Sequence, residues 1–175
     1  MTFIKNKEDA VKVILDQKPL VIYQNDSEWG PRALGNRSIL FDPRNPKAKD
    51  IVNKFKKREW WRPLAGTVLL EYANDYFDLA SLKESPHMSF ALDAKEKAKI
   101  EVPSIVHVDN TCRVQTLTKK QNKPFYNLIK HFYDKTGVPI LLNTSFNLAG
   151  HPIVENDLSL KLTTENSEFK SVYIP

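Results

Sequence analysis

With 175 residues, the chain has the length of one domain with a genuine core and is too short for two comfortable ones. An apolar fraction of 41% and a charged fraction of 27% argue against disorder; no apolar run nears the roughly 20 residues of a spanning helix, and Met1–Lys7 lacks an apolar signal core, so a cytoplasmic protein without membrane contact is expected. A formal net charge of +5 permits nucleotides, phosphorylated metabolites, RNA or acidic membrane as partners without choosing among them, and the lone Cys112 leaves no internal disulfide and no cysteine-built zinc site.

In chain order, Ala10, Val11, Ile14 and Leu15 share one face of a helix over 8–16, which Lys18-Pro19 stops before a buried strand over 20–23. A polar loop leads through Gly30-Pro31-Arg32-Ala33-Leu34-Gly35 into a short strand over 38–41. Asn45-Pro46 starts a helix ending near Arg58, with Ala48, Ile51, Val52 and Phe55 inside and lysines largely outside. Strands are expected over 64–70, 88–92, 105–108 and 113–117, a helical turn over 75–79, and a charged connection over 95–99. Residues 123–136 give the strongest helical pattern, with Phe125, Leu128, Ile129, Phe132 and Tyr133 in one stripe and Gly137 as C-terminal cap. A buried strand over 138–142 then delivers Asn143-Thr144-Ser145-Phe146-Asn147 to a sheet end, where open α/β sheets place ligand contacts. A short helix over 157–162 and a strand over 170–174 finish the chain.

Three stretches carry chemistry. Glu28 to Ser38 combines glycines, which let backbone approach a ligand, with Arg32 and Arg37, whose planar donor forks suit phosphate or carboxylate. Lys56-Lys57-Arg58-Glu59-Trp60-Trp61-Arg62-Pro63 interleaves cations with aromatics, a pattern for polyphosphate or for RNA, although the tryptophans serve equally well as core anchors. From Arg32 to Arg62 ten basic residues face only Asp42, Asp50 and Glu59, so the positive potential is concentrated there. In the third stretch, 107–116, His107 and Asp109 lack a third metal ligand, which favours a hydrogen-bonded His107. Ser145 lies in no nucleophile elbow, and orienting a polar ligand is its simpler role.

Together these blocks resemble the C-terminal, YrdC-like domain of the O-carbamoyltransferases, the nodulation and antibiotic-tailoring enzymes. The likeness rests on Glu28 with Gly30–Ser38, Asp42-Pro43-Arg44, Lys57-Arg58-Glu59 with Arg62-Pro63, Ser85-Pro86 with Met88, His107–Asp109 with Thr111 and Arg113–Thr116, and Gly137–Asn147 with Gly150 and Pro152–Val154. It departs from the family pattern at Asn25-Asp26, Gly66, Asn110, Cys112 and His151. The resemblance implies an α/β fold, a YrdC-like twisted mixed sheet with flanking helices, spanning 1–175 as a single domain without the family's N-terminal metal-binding transferase domain. It further implies an enzyme that uses carbamoyl phosphate, ATP and Mg2+ to make carbamoyl adenylate, with a separate transferase chain as partner. By motif it assigns ligand binding to Arg32, Lys57, Arg62 and Arg113, whose cations would also serve catalysis, and to Asn143 and Ser145, with no protein metal ligand. Two other readings stand beside it: a basic RNA-binding module, and a subunit that binds ligand or partner without catalysis.

Overall fold

The apolar runs fold into one mixed sheet in the computed structural model, which describes residues 1–175. Its strands are β1 (Thr2–Ile4), β2 (Leu20–Tyr23), β3 (Arg37–Phe41), β4 (Ala65–Leu69), β5 (Ala91–Asp93), β6 (Thr111–Leu117), β7 (Ile140–Ser145) and β8 (Ser171–Tyr173), in the order β1-β8-β2-β3-β7-β4-β6-β5. β1, β8 and β2 run parallel, as do β4 and β6, while β3 and β7 pair antiparallel with each other and with their outer neighbours. Every residue of β3 and β4 is buried, the signature of central strands covered on both faces.

Six helices flank the sheet: α1 (Lys7–Leu15), α2 (Ala48–Phe55), α3 (Ala73–Tyr76), α4 (Glu96–Glu101), α5 (Lys123–Thr136) and α6 (Asp157–Glu165). The mixed α/β architecture expected from sequence is the one found. α5 begins where the Asn122 side chain accepts from the Phe125 N–H and ends at Gly137, whose φ of 74° is the left-handed conformation glycine adopts without strain. Its buried Phe125, Leu128, Ile129 and Phe132 join Ala10, Val11 and Ile14 of α1 in one core of 42 buried residues. No helix is long and apolar enough to cross a membrane.

Two local expectations are corrected. Of residues 95–99, read as a charged connection, Lys95 is the N-cap and 96–99 begin α4, because Ala98 and the following Val102 bury an apolar edge that so short a charged segment hides. Of residues 105–108, read as a strand, Ile105 closes a 3-10 turn over Pro103–Ile105 and 106–108 follow it outside the sheet; proline cannot donate to a ladder there, and the Ser104 hydroxyl donates to the Pro43 carbonyl at 2.8 Å. The edge strand β1 had no expectation attached; three residues beside β8 carry too little pattern to be seen alone.

Candidate functional site

Adjacent strands β7, β4 and β6 place Asn143, Thr67 and Gln115 in one buried polar layer. The Thr67 hydroxyl donates to Gln115 Oε1 at 2.8 Å, and Asn143 Nδ2 lies 2.9 Å from Thr67 Oγ1 and 3.2 Å from Gln115 Oε1. The same two amides reach upward: Asn143 Nδ2 donates to the Ala33 carbonyl at 3.3 Å and Gln115 Nε2 to that of Leu34 at 3.0 Å. They therefore pin the Gly-Pro-Arg loop onto the sheet. From its other side, Glu28 Oε1 accepts from the backbone N–H groups of Leu34, Asn36 and Arg37 at 2.7, 2.8 and 3.2 Å, closing the loop like a capped turn. Gly35, at φ 109°, makes the close approach possible, since a Cβ there would lie 2.2 Å from Phe125 Cδ1. Arg37 stabilises this turn; it is buried, donating to the carbonyls of Gln24, Asn25, Asn36 and Glu155.

Beyond the loop opens a cleft of about 660 Å³, walled by Arg32, Lys56, Arg58, Arg62 and Arg113, with Asn143, Ser145 and Asn147 at its floor and Trp61 at its side. Its only carboxylate, Glu59, accepts from Arg62 Nε at 2.7 Å. Burial, then Arg62 and Arg113, lower Arg58 to about 10; burial, then Arg32, lower Arg113. Each also keeps a buried donor without a partner, Arg58 Nη2 and Arg113 Nε, and Asn143 Oδ1 is a buried acceptor in the same condition. Crowded cations with unspent buried donors are costly, and an anion bound in the cleft relieves both costs.

Of the six site residues expected from sequence, Arg32, Arg62, Arg113, Asn143 and Ser145 line this cleft, and Lys57 does not. α2 stops at Phe55, and Lys57 takes a left-handed φ of 53°; its Nζ turns away to donate to the Asn166 carbonyl at 3.0 Å. Its neighbours face the site instead. Lys56, 2% exposed, points its Nζ at the Ser145 carbonyl, at Asn147 Oδ1 (2.9 Å) and at Ser145 Oγ (3.3 Å), while burial and then Arg58 push its pKa down to about 6. Lys56 and Arg58 lie in a run of cations that does not disclose which member faces inward, and Asn147 joins the site from the polar cluster over 143–147. Positions 56 and 58 come together only through the left-handed turn at Lys57, which no periodicity of the sequence marks.

Asn53 organises the cationic wall. Its buried amide donates to the carbonyls of Trp60 and Arg62 at 3.0 and 2.9 Å, and its Oδ1 accepts from Arg58 Nε at 2.6 Å. The tryptophans are not core anchors: Trp60 is 72% and Trp61 58% exposed. His107 is structural, its Nε2 bonded to the Leu64 carbonyl at 3.1 Å and its Nδ1 to Thr111 Oγ1 at 3.2 Å. The chain holds no group of three His, Cys, Asp or Glu side chains placed to bind a metal.

Comparison with known proteins adds a family to this geometry. A model described as carbamoyltransferase C-terminus matches residues 11–175. The chain is 46% identical over 149 residues to nodulation protein NolNO of Sinorhizobium fredii, covering 84% of this chain and 22% of that protein. It is 44% identical over 145 residues to the uncharacterized protein MJ1051 of Methanocaldococcus jannaschii, covering 83% of this chain and 28% of that protein. The chain thus spans only 22% to 28% of the length of these relatives. Among solved structures, full-length HypF in its phosphate- and nucleotide-bound form matches with a TM-score of 0.64 at 16% identity, over 97% of this chain and 24% of that one. RibBX, a two-domain 3,4-dihydroxy-2-butanone 4-phosphate synthase from A. baumannii, matches with a TM-score of 0.58 at 9% identity, over 97% and 55%. At such identities the likeness is one of fold.

Proposed function

This chain belongs to the carbamoyltransferase C-terminal family, and from that premise we propose that its cleft forms the donor for carbamoyl transfer, converting carbamoyl phosphate and Mg-ATP into carbamoyl adenylate. The observation that carries the reading is the convergence of Arg32, Lys56, Arg58, Arg62 and Arg113 on one cleft whose single carboxylate is already paired. Both reactants are polyanions that repel each other in water. A ring of cations is what lets them meet.

Carbamoyl adenylate holds one phosphorus, so carbamoyl phosphate first loses its phosphate to water, leaving carbamate. A carbamate oxygen then attacks the α-phosphorus of ATP; the new O–P bond forms as the bond to the β-phosphate's bridging oxygen breaks, and pyrophosphate leaves with that electron pair. Such transfers need positioning and charge stabilisation more than a protein nucleophile. The unspent donors of Arg58 and Arg113 suit the phosphate oxygens, and the free Asn143 Oδ1 suits the carbamate N–H. Magnesium belongs to the Mg-ATP substrate, since no protein side-chain cluster is placed to hold it, and it would supply further neutralisation of the triphosphate. Transfer of the carbamoyl group to a hydroxyl falls to a separate transferase unit.

The RNA-binding reading draws on the exposed Trp60 and Trp61. Against it, Arg32, Lys56, Arg58, Arg62 and Arg113 turn into one cleft instead of spreading along an open face; Arg37 is spent on backbone carbonyls and Arg44 on Asp42 at 2.7 Å, which leaves Lys47, Lys54 and Lys57 exposed outside it. Pyrophosphate release by the purified chain with Mg-ATP tests the choice. Release that requires carbamoyl phosphate and disappears in Arg113→Ala is expected; salt-sensitive RNA binding without nucleotide turnover would overturn the enzyme reading.

A further inference from the structure

Trp61 is the one large aromatic side chain on the cleft wall, and nothing in the fold explains its exposure. Its ring is not held by burial. The segment around it is held by backbone, through the Asn53 amide on the carbonyls of Trp60 and Arg62 and through the Arg62 N–H donated to the Glu59 carbonyl at 3.3 Å. The Arg62 guanidinium lies 5.8 Å from the Trp61 ring centroid. An indole is thus presented to solvent on a fixed loop, with cations beside it along the same wall. Trp60 shares the loop but not the cleft, and has Lys49 at 5.9 Å from its ring.

A nucleotide has two chemically distinct ends, a polyanion and a flat π-face. The cations account for the first. We propose that Trp61 receives the second, stacking on the nucleobase and so making the cleft select a nucleoside triphosphate over a bare polyphosphate. The proposal rests on the reading of the cleft as a nucleotide site, and it assigns Trp61 a specificity role that the phosphate-binding cations cannot fill. The cleft volume of about 660 Å³ is in the range of small-molecule sites, with room for a base as well as phosphates. Stacking of a base on an aromatic side chain typically changes affinity by roughly ten-fold or more when the ring is removed.

The test compares ATP with tripolyphosphate, which keeps the charge and lacks the base, by calorimetric titration of the wild-type chain, Trp61→Ala, Trp61→Phe and Trp60→Ala. The proposal requires Trp61→Ala to weaken ATP at least about ten-fold while tripolyphosphate affinity stays unchanged, with Trp61→Phe largely restoring ATP and Trp60→Ala affecting neither. Unchanged tripolyphosphate binding also shows that the variant is folded. If Trp61→Ala binds ATP as well as the wild type does, or loses both ligands equally, the stacking assignment is wrong while the anion site stands. If the wild-type chain binds neither ligand, the nucleotide reading itself falls and takes this one with it.

Discussion

Filling the cleft with a polyphosphate should drive a proton onto Lys56. Burial, then the charge of Arg58, lowers this lysine from 10.5 to about 6, so at pH 7.5 it is mostly neutral. Its surroundings nevertheless suit the charged form. The Ser145 carbonyl, Asn147 Oδ1 and Ser145 Oγ give three acceptors for the three N–H bonds of an ammonium, and Ser145 Oγ donates its own proton to Asn147 Oδ1 at 2.6 Å. A bound polyanion adds the missing negative charge and raises the pKa towards its ordinary value. Between about 6 and that raised value the complex holds up to one proton more than the free protein. Affinity should therefore fall as pH rises through this window, by at most about ten-fold per pH unit from this group, and should not depend on it below about 6. The assay is calorimetric titration of tripolyphosphate at pH 7.5 in buffers of different ionisation enthalpy, which counts protons directly. Wild type should take up about one proton more than Lys56→Met, whose comparison removes the protons of the ligand itself. Equal proton uptake by the two would show that Lys56 does not change its protonation when the polyanion binds.

Three substitutions test the scaffold that holds the site. Asn53→Leu removes three hydrogen bonds and frees the 58–62 segment; at about 1 kcal/mol each this costs ~3 kcal/mol, a fall in Tm on the order of 10 °C by calorimetry, together with weaker ATP binding. Gly35→Ala combines an unfavourable φ of 109° with a Cβ 2.2 Å from the Phe125 ring; a loss of about 3 kcal/mol in urea unfolding is expected, and a neutral result would mean that the loop does not sit on α5. Glu28→Ala strips the acceptor from the N–H groups of Leu34, Asn36 and Arg37. Hydrogen exchange at those three amides should accelerate while exchange in α5 is unchanged.

Much of the fold could be read from the sequence where a pattern was long or punctuated. The stripe from Phe125 to Phe132 with its Gly137 cap specified α5, and the run around Leu141 specified a buried strand. Short elements escaped because their stability comes from neighbours: β1 exists through β8, and α4 through the burial of Ala98. The candidate site divides in the same way. Arg32, Arg62, Arg113, Asn143 and Ser145 sit in motifs whose residue types suggest ligand contact, and they converge. Lys57 does not join them, because the left-handed turn that separates it from Lys56 and Arg58 depends on where α2 ends, and helix ends are the least legible feature of a sequence. Asn53 was invisible for a related reason. It looks like one more polar residue of a helix until the chain returns to place two carbonyls over its amide.

Donor formation turns on attack at the α-phosphorus of ATP, and exchange of labelled pyrophosphate into ATP reads that step alone. The purified chain is incubated with Mg-ATP, labelled pyrophosphate and carbamoyl phosphate as the source of carbamate. Label should appear in ATP only when the carbamate source is present, and should be lost in Arg113→Ala. Accumulation of ADP without exchange would place the attack at the γ-phosphate and rule out carbamoyl adenylate as the product.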